Sequence, residues 1–378
     1  MFLLRRNENE SSINIFLRQI IALECRDYSD PFSYKSIKVN CDIIKNENYA
    51  RFLNSTKFVS PSSAFVIDFT CGSSDVNLCK KAKNAFLSAG QRIASVIQFN
   101  TPINVKASFD KLSTNTLGQA SPARLIPLKD RDGIIRLYPQ ALVKQMQFPK
   151  HPEFNNYDIL AEFTTTAKWF FKEDVNIQKD QYDFEYVITH EIIHGLGFIS
   201  GWREWFLSSL SDLTPYPLFL DDSTDPNKLI TYTGFFEMAF DRYMMLNLTK
   251  KTMITTLAQE INRFAPIGKK FASLSSFEKE FQSSPQALIA KNLSLAAIIP
   301  YTMDFVTHDS TPVILETSLN PYSIKSSISH VDTLYTDTSD FLMVYDSKHG
   351  IRFDDLAKNY GGVIGSKLIK VLETLGCA

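Results

Sequence analysis

His190-Glu191-Ile192-Ile193-His194-Gly195-Leu196-Gly197-Phe198-Ile199-Ser200-Gly201 places two imidazoles, a carboxylate and a glycine turn within twelve residues. On an α-helix, residues four apart share a face about 6 Å apart along the axis, so His190 and His194 can reach one ion. Glu191 leaves the helix beside the first imidazole, near enough to act on a water at that ion without being forced to ligate it. This donor set predicts zinc.

The flanks favour a buried helix. Tyr182, Phe184, Tyr186, Val187 and Ile188 lead into the motif, Ile192 and Ile193 continue it, Asp183 is placed to cap the first turn, and Glu185 follows inside that turn. Gly195 and Gly197 then end the helix. If the pattern were an accident on a core helix, its His, Glu and His would be buried without partners, at a cost of several kcal/mol. A metal ion is the simplest partner for all three.

Catalytic zinc usually takes three protein ligands and leaves one position open. Ten residues after His190, where one compact protease pattern has its third His, this chain has Ser200. The remaining histidines are His151, His308, His330 and His349. His330 is the best third ligand, because Asp332 two residues on is placed to orient its ring. His308, beside Asp309, is the alternative; His151 precedes Pro152 and His349 precedes Gly350, which predicts exposed loops for both.

The chain has 378 residues and is 44% hydrophobic, enough for one large or two ordinary domains. With 40 basic against 41 acidic residues, it carries no electrostatic footprint for nucleic acid or an anionic membrane. Ala64–Phe69 and Leu293–Pro300 are apolar runs of strand or core size, too short for an integral membrane segment. Met1–Leu4 is too short for the apolar part of a secretory signal, and Ile13–Leu23, interrupted by Asn14, Arg18 and Gln19, predicts an amphipathic helix. Against this, Cys71 and Cys79 have a spacing that suits a small disulfide loop, and sequons at Asn9, Asn54, Asn247 and Asn292 fit a secretory history. Four sequons are also expected by chance in a chain this rich in Asn and Ser. Cys25 and Cys41 allow a thiolate latch on the metal, a pairing, or free thiols.

Residues 1–60 are polar and weakly patterned, which predicts an N-terminal extension or pro-segment. Ala64–Phe69, the helical spacing over Asn77–Gln98 and the alternation over Ile103–Phe109 predict strand, helix and strand. This βαβ-like opening implies an α+β fold in which 61–200 is the N-terminal catalytic subdomain. Punctuation such as Ser121-Pro122 and Asp132-Gly133 makes 110–156 mostly loops and short strands. Tyr157–Thr164 is expected to be an edge strand able to pair with an extended peptide. An insertion over 201–315, largely helical and including Thr233–Met245 and Ser275–Leu295, precedes a C-terminal subdomain over 316–378.

The His190–Phe198 run, Ser329-His330-Val331-Asp332 and Phe341-Leu342-Met343 together resemble metzincin zinc peptidases, particularly leishmanolysin-like enzymes whose third His is displaced by an insertion. The similarity extends through Pro102–Phe109, Tyr138-Pro139, Trp169 and Gln181–Phe184 to the closing Leu372–Gly376, so it covers roughly 64–378. It implies a mixed twisted sheet with long helices, a turn at Gly197, zinc on His190, His194 and His330, and a Met-turn at Met343. It also implies a secreted zinc endopeptidase acting on a protein or peptide substrate, with Glu191 as general base and acid. Tyr345 stands where some metzincins have a zinc-binding tyrosine; a packed core tyrosine is the other reading. A silent zinc-stabilised binding protein, or a zinc hydrolase of esters or small amides, fits the same motif.

Overall fold

The computed structural model describes residues 25–28, 36–39, 58–112, 116–146, 148, 151–206, 212–221, 229–248 and 250–377. In chain order the first half contains β1 (Cys25–Tyr28), β2 (Ser36–Val39), β3 (Phe65–Cys71), α1 (Val76–Ala94), β4 (Ile103–Asp110), β5 (Gly118–Pro122), β6 (Arg124–Lys129) and β7 (Ile135–Pro139). Next come α2 (Gln140–Gln145), β8 (Ile159–Thr164), β9 (Trp169–Phe170), β10 (Tyr182–Asp183) and α3 (Phe184–Gly195). The remainder holds β11 (Arg203–Glu204), β12 (Leu213–Thr214), β13 (Tyr216–Asp221), β14 (Ile230–Phe236), β15 (Met244–Asn247) and β16 (Lys251–Met253). It continues with α4 (Ile254–Ile261), β17 (Lys270–Phe271), α5 (Leu274–Gln282), α6 (Pro285–Ala296), β18 (Met303–Val306), β19 (Pro312–Ile314), α7 (Phe353–Tyr360) and α8 (Ser366–Leu375). The fold is mixed α+β with several small sheets.

The sheet that positions the motif helix runs β3-β4-β8-β5. β3, β4 and β8 are parallel and β5 is antiparallel to β8. The βαβ opening is therefore present, as β3-α1-β4. Alternation in β4 buries Ile103, Val105, Ala107 and Phe109 on one face, where α1 packs with Ala82, Phe86, Ala89 and Ile93. Asp75 caps α1 by accepting from the backbone N–H groups of Asn77 and Leu78.

The first residue of α3 fixes where that helix lies. The Phe184 ring sits 4.7–6.1 Å from those of Trp169, Phe109, Phe171, Phe163 and Phe86, a cluster of edge-to-face and tilted pairs joining the sheet, α1 and α3. Asp183 caps α3 through the Tyr186 N–H, as the sequence predicts, and its second oxygen accepts from Phe353 N on α7. Glu185 in the first turn accepts from Ser88 and pairs with Arg92 of α1.

Three expectations are corrected. Tyr157–Thr164 contributes a strand, β8, but it lies inside the sheet; the open edge beside α3 belongs to β5, whose antiparallel register 110–156 concealed behind its loop signals. Part of the supposed extension is built into the fold, since β1 and β2 join β6 and β7 in a second sheet. The insertion is mixed, not largely helical. Thr233–Met245 holds the end of β14 and the start of β15, because Thr233, Phe235 and Phe236 continue the strand formers Ile230 and Tyr232; Ser275–Leu295 splits into α5 and α6 at Ser283-Ser284-Pro285. The amphipathic segment Ile13–Leu23, Cys41, Asn9 and Asn54 lie outside the described residues. Among the described residues no helix is long and apolar enough to cross a membrane.

α3 crosses the sheet where it has no side chain. A Cβ on Gly195 would stand 2.4 Å from Ile159 Cγ2 and 2.9 Å from Ile159 Cδ1. We expect Gly195→Ala to lower the free energy of unfolding by about 1–3 kcal/mol through overpacking, measured by urea denaturation. A loss of only a few tenths would show that α3 and β8 are not in close contact there.

Candidate metal centre

α3 presents His190 and His194 on one buried face, and His330, 136 residues beyond His194, closes on them. The His330 Nε2 lies 3.1 Å from that of His190 and 3.2 Å from that of His194. Each ring's other nitrogen faces a backbone carbonyl. Nδ1 of His190 is 2.6 Å from Leu342 O, Nδ1 of His194 is 2.7 Å from Phe198 O, and Nδ1 of His330 is 2.9 Å from Ser326 O. A carbonyl only accepts, so each Nδ1 carries the proton and each Nε2 is a bare lone pair. Burial disfavours the charged ring, pushing His190 down to about 4, His194 to about 3 and His330 well below its ordinary value. Three neutral imidazoles thus aim lone pairs at one point. This buried group is able to hold a metal ion.

Local structure explains each carbonyl. Gly197, at φ +119°, turns the chain just past α3 and brings Phe198 O back to the His194 ring, a conformation that side chains with Cβ rarely adopt. Leu342 O comes from the buried turn Phe341–Met343, and the next carbonyl, Met343 O, accepts from Val331 N. One turn therefore fixes both His190 and the segment carrying His330. Glu316 N–H donates to His330 O and Ile328 N–H to Glu316 O, while Ile328 holds φ +55°, strained backbone two residues from the third imidazole.

Glu191 is half-buried beside the cluster. Its Oε2 accepts from Ala120 N at 2.9 Å, so the open edge of β5 fixes the carboxylate. Burial raises its proton affinity to about 8, while the Ala120 hydrogen bond and the Lys325 ammonium oppose the rise.

The geometry brings His190, His194 and His330 together, with Glu191 following His190 on α3, and sets the other histidines apart. His308 instead bonds Thr374 on α8, and His349 packs on Tyr182 with its Nδ1 at Lys179 O. His151 is half-buried between Phe148 and Phe154, not an exposed loop residue. Asp332 does not orient the His330 ring; its side chain accepts from Leu334 N, and Ser326 O takes the role. Tyr345 is half-buried, outside the packed core. Cys25 is disulfide-bonded, which removes it as a thiolate ligand, and Cys71 is joined to Cys79.

Ser200, standing where a compact motif has its third His, is buried and has another task. Its hydroxyl donates to Asp241 at 2.6 Å, and its N–H donates to the hydroxyl of Ser329, next to His330. Asp241 also accepts from Gly201 N and Met238 N, so the insertion clamps the turn that follows α3. Sequence spacing gave no sign of this clamp, because Asp241 lies far from both halves of the site.

The family's sequence profile matches residues 25–378. The chain belongs to the SPBPB7E8-like family. It is also similar to an uncharacterised protein of Schizosaccharomyces pombe, 26% identical over 320 residues, a match that covers 75% of this chain and 56% of that protein. The chain thus spans little more than half the length of the curated relative it matches. No solved structure matches. The profile begins at Cys25, the first residue of β1, in keeping with β1 and β2 being part of the fold.

Asp241 yields a pH test. Burial pushes its carboxyl up to about 6, against the pull of its donors and of Arg136. A folded-state value above the unfolded one means that its contribution to stability is fully present below about pH 4 and is lost as pH rises through about 6. For metal-stripped protein, the difference in unfolding free energy, wild type minus Asp241→Asn, is expected to fall by on the order of 2–3 kcal/mol between pH 4 and pH 7. A pH-independent difference in urea melts would refute this.

Proposed function

We propose that this chain is a zinc-dependent endopeptidase of the metzincin type. The observation that carries the proposal is the convergence of three lone pairs with a carboxylate beside them. Tetrahedral zinc with Zn–N arms of 2.0–2.1 Å spaces its ligands about 3.3–3.4 Å apart. The separations of 3.1 and 3.2 Å at His330 are close to that edge. The carbonyl at each Nδ1 is the outer support that fixes tautomer and ring direction at metal sites. The Met343 turn beneath His190 and the antiparallel β5 edge above α3 further support a metzincin-like arrangement.

When bound, zinc supplies Lewis acidity toward a peptide carbonyl and acidifies a water. The chain's own residues do the rest. Glu191, fixed at Oε2 by Ala120, has Oε1 left to take the water's proton and deliver it to the leaving amine, which requires hydrogen-bond reach. The free edge of β5 offers backbone groups to an extended peptide, which suits a protein or peptide substrate better than a small ester. The clamp from Asp241 through Ser200 to Ser329 holds the turn after α3 against the His330 loop.

Zinc stoichiometry tests the donor set. Wild type and His308→Ala are expected to retain one zinc per chain after dialysis, and His330→Ala to lose it; retention by His330→Ala would remove the third ligand. Digestion of a broad peptide library separates peptidase from silent binder and from ester hydrolase. Glu191→Gln should keep its zinc and lose about 10²–10⁴-fold in kcat/KM. Identical cleavage profiles for the two proteins would end the peptidase reading.

A further inference from the structure

We propose that Asn292 carries an N-linked oligosaccharide that covers an apolar stripe on α6, a modification independent of the metal centre. Leu288 and Leu295 on α6 and Ile299 in the turn after it are 61%, 53% and 51% exposed, a high exposure for side chains of this size. Residues 288, 292 and 295 fall at i, i+4 and i+7, so exposed Asn292 sits in the middle of the stripe. The opposite face, with Ala287, Ala290, Leu293 and Ala296, is buried. Asn292-Leu293-Ser294 is an acceptor sequon. A glycan leaving Asn292 has apolar surface on both sides of its root.

The fold separates Asn292 from Asn247, the other described sequon asparagine. Asn247, in β15, donates its side-chain amide to the buried Asp304 carboxylate, and its backbone N–H donates to Thr302 O. A sugar on that nitrogen would displace Asp304. Asn292 has no such obstacle. The disulfide between Cys71 and Cys79, with that of Cys25, fits an oxidising setting, where such modification occurs.

Ser294 also fixes when the transfer takes place. Its hydroxyl donates to Ala290 O at 3.0 Å and accepts from Leu213 N at 2.7 Å, so in the folded protein it is locked on the buried face of α6, against β12. The sequon is readable only before α6 docks. The co-substrate is a polyprenyl-diphosphate-linked oligosaccharide. Asn292 Nδ2 forms the new bond to sugar C1, the C1–O bond to the diphosphate breaks, the polyprenyl diphosphate leaves with the electron pair, and Nδ2 gives up one proton.

The test is the full chain secreted from a yeast host behind a cleavable leader, with glycans released by peptide N-glycosidase in heavy-oxygen water and peptides mapped by mass. Heavy-oxygen Asp is expected at position 292. An unmodified Asn292 in secreted chain with Cys71–Cys79 closed overturns the proposal. Trimming the glycan to its first sugar on the folded protein tests the covering role. Fluorescence of a hydrophobic dye should rise several-fold in wild type but not in Leu288→Ser/Leu295→Ser/Ile299→Ser; no rise in wild type overturns it.

Discussion

Three imidazole lone pairs aimed at one point impose the constraint on which the rest of this structure depends. Each Nδ1–H is committed to a carbonyl, so no ring can flip its tautomer to relieve the other two without losing a buried hydrogen bond. Protonation offers no easy escape, since burial holds all three well below their usual value. Unfilled, the centre would keep unpaired polar nitrogens away from water, at a cost of kcal/mol. A cation at that point turns this repulsion into attraction, which is why metal binding and folding are coupled at such sites.

Holding the centre requires parts far apart in the chain. The Phe184 cluster sets α3 against the sheet, the Phe341–Met343 turn serves His190 and the His330 segment together, and Asp241 ties the insertion to Ser200 and Ser329. A second tie, between the fully buried Arg136 of β7 and Asp130, Glu237 and Thr255, joins the N-terminal half to the insertion. Such a buried charge is tolerable only because it is paired several times over. The insertion is thus a structural support of the site as well as a spacer before His330.

Much of this was legible in the sequence where local chemistry decides structure. The Asp183 cap, the Gly197 turn and the β3-α1-β4 opening follow from residue type and spacing alone. His330 could be selected because few histidines were available. What could not be read was partnership at long range. Asp332 was a reasonable support for His330 by proximity in sequence, yet a backbone carbonyl, which no residue type announces, does that work. The β5 edge was hidden for a related reason: Gly118-Gln119-Ala120-Ser121-Pro122 has little strand propensity, and its pairing with β8 makes it a strand. The aromatic strand β14 was misread because an apolar run lacks a period that separates a buried strand from a buried helix.

The number of ligands bears on what the centre is for. Structural zinc sites are closed by four protein donors, while catalytic sites keep one position for water or substrate. Among the described residues the group contains three histidines and no fourth His, Cys, Asp or Glu. Glu191 adjoins it but spends one carboxylate oxygen on Ala120, an interaction that draws it toward the strand edge instead of the convergence point. That division of labour suits the proposed chemistry: three nitrogens would leave one position of a tetrahedral ion to water, and Glu191 follows the first of them on α3. On the proposed reading the three-donor set suits hydrolysis, and the β5 edge that holds Glu191 would present backbone groups to an extended substrate.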